Sequence, residues 1–292
     1  MRARKIATEN LWKIENAEWV DRSRSPYVEG NVAWVPVKPH EPCDAEIRER
    51  SRYSGKGYYM VGDVAVIHGN KPSPPEIEEM LRFRHPRGIV WIEALLDLTR
   101  TPRTELLWGT AGEVQHRENG YTYILDPQKV MFSMGNRNEK SRMAGLIHAG
   151  SERERVADMF AGIGYFTIPM AGAGARVHAM EINPVAFGYL EQNIKKNGFS
   201  DRITATFGDC RTTLNGTYNR IVMGHFDAIT MLPEALGHVQ PGSILHVHSI
   251  GPAEDRIRAC VEGAGFSSTI QVHKVKKYRP HAWHVVQDVT IA

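Results

Sequence analysis

Cysteine is scarce in this chain: three among 292 residues (Cys43, Cys210 and Cys260), far apart and with no CxxC pair. Such spacing excludes a disulfide framework and a structural zinc cluster, and suits reduced thiols in a cytoplasmic protein. No run of about 18 apolar residues occurs, so no membrane span is expected. The basic start, MRARKIATENLWKIENAEW, lacks the apolar stretch of a signal peptide. Internal repeats and low-complexity tracts are missing too. Nor does one charge dominate: 36 Lys and Arg against 33 Asp and Glu leave a net charge of +3. That mild basicity permits a nucleic-acid partner without demanding one.

What is present divides in two. Residues 1–125 mix short β-like runs (Asn31–Val37, Val61–His68, Gly88–Leu95) with turn clusters and one helical stretch, Pro75–Arg84. They read as a small mixed α/β module. Residues 126–292 read as a second domain, in which strand–helix alternation begins at about residue 153. Strands are expected at Val156–Phe160, Arg176–Met180, Ile203–Phe207, Arg220–Met223 and Ser243–His248. Helices are expected at Gly164–Ala173, Pro184–Asn197, Ile229–Gly237 and Pro252–Gly263, with Thr269–Lys274 and Trp283–Ile291 as a closing β pair. Repeated units of this length predict an α/β fold built on a Rossmann-like, doubly wound parallel sheet. The closing pair would add an antiparallel strand at or near an edge.

Ligands of open parallel sheets bind beyond the carboxyl ends of the strands. Three features fall there. Asp158-Met-Phe-Ala-Gly162-Ile-Gly164 runs from the first strand into a helix, with glycines where the backbone must turn tightly. Glu181, seventeen positions beyond Gly164, follows the second strand and suits both ribose hydroxyls. Asp209 follows the third and suits an adenine amino group. A dinucleotide fingerprint would need a third glycine at 167, where Thr stands. Three carboxylates in register at successive strand ends instead predict a nucleoside without a pyrophosphate, namely S-adenosylmethionine.

The segments DMFAGIGYFTIP, HAMEINPVAFGYLEQNIKKNG and GDCR, with KVMFS before them and KVKKYRPHAWHVVQDVTI at the end, carry a family resemblance. The chain resembles the archaeal and eukaryotic class-I enzymes that modify position 37 of tRNA, from about Tyr121 onward. Two sister groups share these motifs: tRNA guanine-N1 methyltransferases and the wybutosine-synthesising aminocarboxypropyltransferases. After the fourth strand the methyltransferases carry an Asn-Leu-Pro or Asn-Pro-Pro motif. Here Gly224-His225-Phe226 stands instead, and with Ala282-Trp283-His284 it resembles the archaeal aminocarboxypropyl group. The resemblance implies transfer of the 3-amino-3-carboxypropyl group of S-adenosylmethionine to C7 of 4-demethylwyosine in tRNA(Phe), releasing methylthioadenosine; the alternative is guanine-N1 methylation.

The resemblance also implies site residues. Ser133 and Lys140 would hold the methionine end, with Asn136 beside them. Glu181 would hold the ribose, and Asp209 with Cys210 the adenine side. Met134 and Lys140 stand where the family has Pro and Arg, and lysine loses the bidentate grip on a carboxylate. His225 is the candidate proton acceptor, and Phe226 or Tyr165 a platform for a splayed base. tRNA phosphates would meet Lys274, Lys276, Lys277 and Arg279, with further candidates at Arg82, Arg84, Arg87, Arg137 and Arg142. None of the scattered histidines reads as a metal ligand, and a monomer is expected. A cofactor-dead RNA-binding scaffold and a nicotinamide dehydrogenase are the rival readings.

Overall fold

The computed structural model describes every residue except 15–16, 48–52, 54, 56, 98 and 149–153. The chain divides into two compact units, Met1–Ser54 and Gly55–Ala292. In the first, strands β1 (Arg2–Ala7), β2 (Tyr27–Glu29), β3 (Val32–Pro36) and β4 (Ala45–Glu46) form a four-stranded sheet in the order β2-β3-β1-β4.

The second unit opens with β5 (Tyr59–Val61), β6 (Val64–His68), α1 (Pro74–Arg84), β7 (Gly88–Leu96) and β8 (Thr101–Gly109), whose strands make a second four-stranded sheet. A capping box between Ser73 and Glu76 starts α1. The hairpin β9 (Val114–Glu118) and β10 (Tyr121–Leu125) follows, then α2 (Arg137–His148). Residue 153, the expected onset of strand–helix alternation, lies outside the described residues. The alternation runs β11 (Arg155–Asp158), α3 (Thr167–Gly172), β12 (Arg176–Glu181), α4 (Pro184–Lys196), β13 (Ile203–Phe207), α5 (Cys210–Thr213) and β14 (Arg220–Met223). It continues through α6 (Leu232–Leu236), β15 (Ile244–Ile250), α7 (Glu254–Gly263), β16 (Ser268–Arg279) and β17 (Ala282–Ile291).

The seven-stranded sheet has the order β13-β12-β11-β14-β15-β17-β16, parallel except where β17 pairs antiparallel with β15 and β16. This is the doubly wound sheet expected, with its antiparallel strand next to the edge. Strand order reverses between β11 and β14, which opens a crevice at their carboxyl ends. One apolar cluster, including Leu232, Leu236, Ile257 and Val261, covers one face; another, with Met143, Met170, Leu190 and Ile194, covers the other.

Several expectations change in detail: the strand expected at Val156–Phe160 runs Arg155–Asp158, and that expected at Thr269–Lys274 runs Ser268–Arg279. The helix expected from Gly164 begins at Thr167, because residues 162–166 wind as turns. The single helix expected over Ile229–Gly237 is a 3-10 turn, Ala228–Met231, followed by α6. Pro233 has no N–H to continue the ladder of the preceding turn, so it starts a new helix.

The break expected at residue 125 lies instead at Ser54/Gly55. Two amides one turn apart, Asn193 on α4 and Asn197 at its C-cap, explain the difference. Asn193 accepts from the Ile124 N–H (2.6 Å) and donates to the Ile124 carbonyl (3.1 Å) and the Ile163 carbonyl (3.0 Å). Asn197 pairs in the same way with the N–H and carbonyl of Thr122 (3.0 and 2.8 Å). Together they satisfy the free edge of β10 as a neighbouring strand would. Apolar packing completes the weld, since Val64, Val90 and Leu125 share a cluster with Ile163, Ile168 and Tyr189.

Candidate active site

A cavity of about 450 Å³ opens at the carboxyl ends of β11–β14. One side of it is built from strand ends. Gly162 and Gly164 have φ of +57° and +101°, and a Cβ on Gly162 would lie 2.5 Å from the Tyr165 ring. The turn they allow aims the Gly162 N–H at Glu181 Oε2 (2.7 Å), while the Asn183 N–H donates to Oε1 (2.7 Å). Burial raises the Glu181 pKa and these N–H groups oppose the rise. A carboxylate held this way keeps lone pairs for two hydroxyl donors.

Asp209 caps α5 by accepting from the Arg211 N–H (2.9 Å), and it also binds the Arg211 guanidinium, which lowers its pKa. Cys210 lines the same wall as an inert thiol, pushed up to about 12 by burial. Asp158 and Gly164 are not among the cavity's lining residues. Asp158 is fully buried, accepts from Thr167 Oγ1 (2.6 Å), and is raised to about 6, chiefly by burial. Gly164 is packed against Ile168 and Leu190. Both shape the turn.

On the opposite side of the switch point Gly224, His225 and Phe226 follow β14 and line the cavity. The His225 ring stacks on Phe160 at 5.5 Å, and its Nδ1 accepts from the Asp227 N–H (3.2 Å). Burial, then Arg100, lowers its pKa, so the imidazole is neutral at pH 7. A neutral ring whose Nδ1 accepts carries its proton on Nε2. His225 therefore presents a donor, which argues against the proton-acceptor role expected of it. The stacking platforms are also engaged. The Arg100 guanidinium sits 5.4 Å over Phe226, and Tyr165 donates its hydroxyl to the Met131 carbonyl with Lys140 over its ring.

The remaining side is polar and cationic. Ser133 precedes the 3-10 turn Met134–Asn136 without making a cap bond, and Asn136 Oδ1 is buried with no hydrogen-bond partner. Lys140 does not reach the cavity. Its fully buried ammonium lies 2.7 Å from Glu118 Oε1 and 4.5 Å over Phe132. Arg100 and Lys276 line the cavity in its place. Nothing in the sequence marks Arg100, which lies in the turn between β7 and β8.

Of the residues expected to meet tRNA, Lys274, Lys277 and Arg279 are exposed, as are Arg82, Arg84, Arg87 and Arg137. Arg87 is paired with Asp63 (3.0 Å), and Arg142 is held between Glu139 and Asp288 (2.7 and 2.6 Å). Among the described residues no group of three or more His, Cys, Asp or Glu is placed to hold a metal ion, and no helix is long and apolar enough to cross a membrane.

A doubly wound sheet with a carboxylate-lined nucleoside site at its switch point defines a class-I S-adenosylmethionine-dependent transferase. The chain belongs to the family described as the TRM5/TYW2 methyltransferase domain, whose model matches residues 114–275. It is 32% identical over 246 residues to the tRNA(Phe) (4-demethylwyosine(37)-C(7)) aminocarboxypropyltransferase of Methanocaldococcus jannaschii, covering 80% of this chain and 97% of that one. Identity to the Pyrococcus horikoshii enzyme of the same description is 33% over 258 residues, covering 81% and 89%. The crystal structure of P. horikoshii TYW2 in complex with MeSAdo matches with a TM-score of 0.69 at 29% identity, over 82% of this chain and 92% of that one.

Proposed function

We propose that this protein transfers the 3-amino-3-carboxypropyl group of S-adenosylmethionine to C7 of 4-demethylwyosine at position 37 of tRNA(Phe), as its archaeal relatives are named to do. S-adenosylmethionine supplies a sulfonium whose methyl and Cγ carbons are both open to attack, with methylthioadenosine leaving when Cγ is taken. The choice between them is one of positioning, which enzymes achieve by holding a near-attack arrangement of roughly 3–3.5 Å.

The observation that carries the reading is that Gly224-His225-Phe226 and Glu181 line the same cavity. Glu181 holds the ribose and Asp209 the adenine side. His225 offers its Nε2–H to an acceptor on the base, while the C7–Cγ bond forms as the Cγ–S bond breaks and the tricyclic ring then loses its C7 proton to solvent water. Lys274, Lys277 and Arg279 on β16 meet tRNA phosphates around the anticodon loop. In this archaeal-type reading the enzyme works in the cytoplasm as a monomer.

Incubating the protein with labelled S-adenosylmethionine and tRNA(Phe) carrying the precursor base tests the reading. Methylthioadenosine should be released and the nucleoside should gain the mass of an aminocarboxypropyl group. Release of S-adenosylhomocysteine overturns the reading, and a methyl added to guanine N1 of tRNA(Phe) that carries an unmodified guanine establishes the sister activity instead.

A further inference from the structure

The last two strands leave a tryptophan outside the cavity with two lysines around it. Along β17, Trp283 is 41% exposed, while the next residue, His284, is fully buried and meets Phe226 of the cavity wall edge to face (5.0 Å). Successive side chains of a strand point to opposite faces. The indole therefore stands one residue, about 3.8 Å of chain, from a side chain that braces the cavity. Its backbone is fixed at the carboxyl edge of the sheet: Ile250 at the end of β15 faces His284, and the Gly251 N–H donates to the Trp283 carbonyl (2.8 Å). The hairpin closes in two residues, Pro280 with its φ set by the ring and His281 in a left-handed conformation (φ 60°).

A bulge brings the cations to this ring. Lys274 faces Val285, Lys276 faces His284 and Lys277 faces Trp283. In a regular strand Lys274 and Lys277, three positions apart, would point to opposite sides. The extra residue at 275 puts both on the Trp283 side and leaves Lys276 to the cavity. Lys274 Nζ lies 5.4 Å over the indole, and Lys277 stands directly across the ladder from it. Both lysines are exposed, and neither is ion-paired with a described residue. An exposed ammonium is held only weakly by a ring, so a flat ligand can displace it and free its charge for an anion. A large ring between unpaired cations suits a strand that alternates planar bases with phosphates.

We infer that Trp283 is a stacking platform for the unpaired nucleotide next to position 37, with Lys274 and Lys277 on its phosphates, while position 37 enters the cavity on the other side of β17. This contact rests on the proposed function and adds to it a base site outside the cavity. Its use follows from the chemistry of access: a base must leave the stack of its neighbours before it can enter a pocket. A neighbour held on Trp283 keeps that gap open.

Fluorescence anisotropy with full-length tRNA(Phe) tests the platform. Trp283→Ala should weaken tRNA binding about 5- to 150-fold, the usual worth of one base on an aromatic ring, and Trp283→Phe should recover most of the loss. The slope of log Kd against log salt should be unchanged in Trp283→Ala but fall by about 0.7 to 0.9 in each of Lys274→Ala and Lys277→Ala. S-adenosylmethionine affinity, read by calorimetry, should hold in all four variants. An abasic nucleotide at one flank, position 36 or 38, should cost as much as Trp283→Ala, and the two changes together no more than either alone. Undiminished tRNA binding by Trp283→Ala overturns the inference and leaves the ring to a protein partner. Additive losses at both flanks overturn it too, as does a parallel loss of S-adenosylmethionine binding. Wild-type protein that binds S-adenosylmethionine but not tRNA(Phe) sinks the underlying function instead.

Discussion

The two ends of the cavity are assembled in different ways. The nucleoside end comes from consecutive strand–loop units: Gly162 follows β11, Glu181 closes β12 and Asp209 follows β13. Its polar groups are held largely by backbone N–H groups close by in the fold. The opposite end draws on three segments distant in sequence, around Arg100, Ser133–Asn136 and Lys276, and is lined by their side chains. A site of the first kind follows from the fold class; a site of the second kind has to be assembled by tertiary packing.

The largest effect expected from probing this contrast is on Lys140. Replacing it by Met leaves the Glu118 carboxylate buried and unpaired, which should destabilise the protein by about 3–5 kcal/mol in denaturant unfolding. Pairing Lys140→Met with Glu118→Leu should recover most of that loss. An intact midpoint in the single variant would show that the ammonium is not the structural counterion described here.

At the other end, Glu181→Ala removes the acceptor of two backbone N–H groups and, on the proposed function, of the ribose. Binding of S-adenosylmethionine and methylthioadenosine should fall together, by roughly 10- to 150-fold on the worth of hydrogen bonds to a charged group. Unchanged methylthioadenosine affinity would take Glu181 out of the ribose role and dissolve the contrast.

The smallest effect is a pH dependence beneath the site. Asp158 is raised from 3.8 to about 6 in the fold, so the folded state holds a proton that the unfolded chain has released. Stability from this group is fully present below about pH 4 and is lost as pH rises toward about 6. Asp158→Asn should flatten that part of the unfolding profile relative to wild type. An unaltered slope would mean that the carboxyl titrates normally.

Much of the parallel sheet was legible because each strand is a short apolar run between turn signals, and Ile203–Phe207 and Arg220–Met223 coincide with their expected limits. The domain boundary was not, since the bonds of Asn193 and Asn197 to β10 span about seventy positions and leave no periodic trace. Lys140 misled for a related reason. The family resemblance implied a ligand contact for it, but the departure from Arg to Lys goes with a buried partner, Glu118 on β9, which the resemblance does not reveal. Lys276 was grouped with Lys274 and Lys277 as one basic strip; the bulge at residue 275 divided them.

By itself the order of residues determined the sheet, the glycine turn and the acidic positions at the strand ends, because hydrophobic period and turn chemistry act over a few neighbours. Which cations face the cavity was decided only in three dimensions. A buried charge takes the nearest partner that packing offers it, as Lys140 takes Glu118, and one extra residue in a strand is enough to turn another lysine from solvent to the cavity wall.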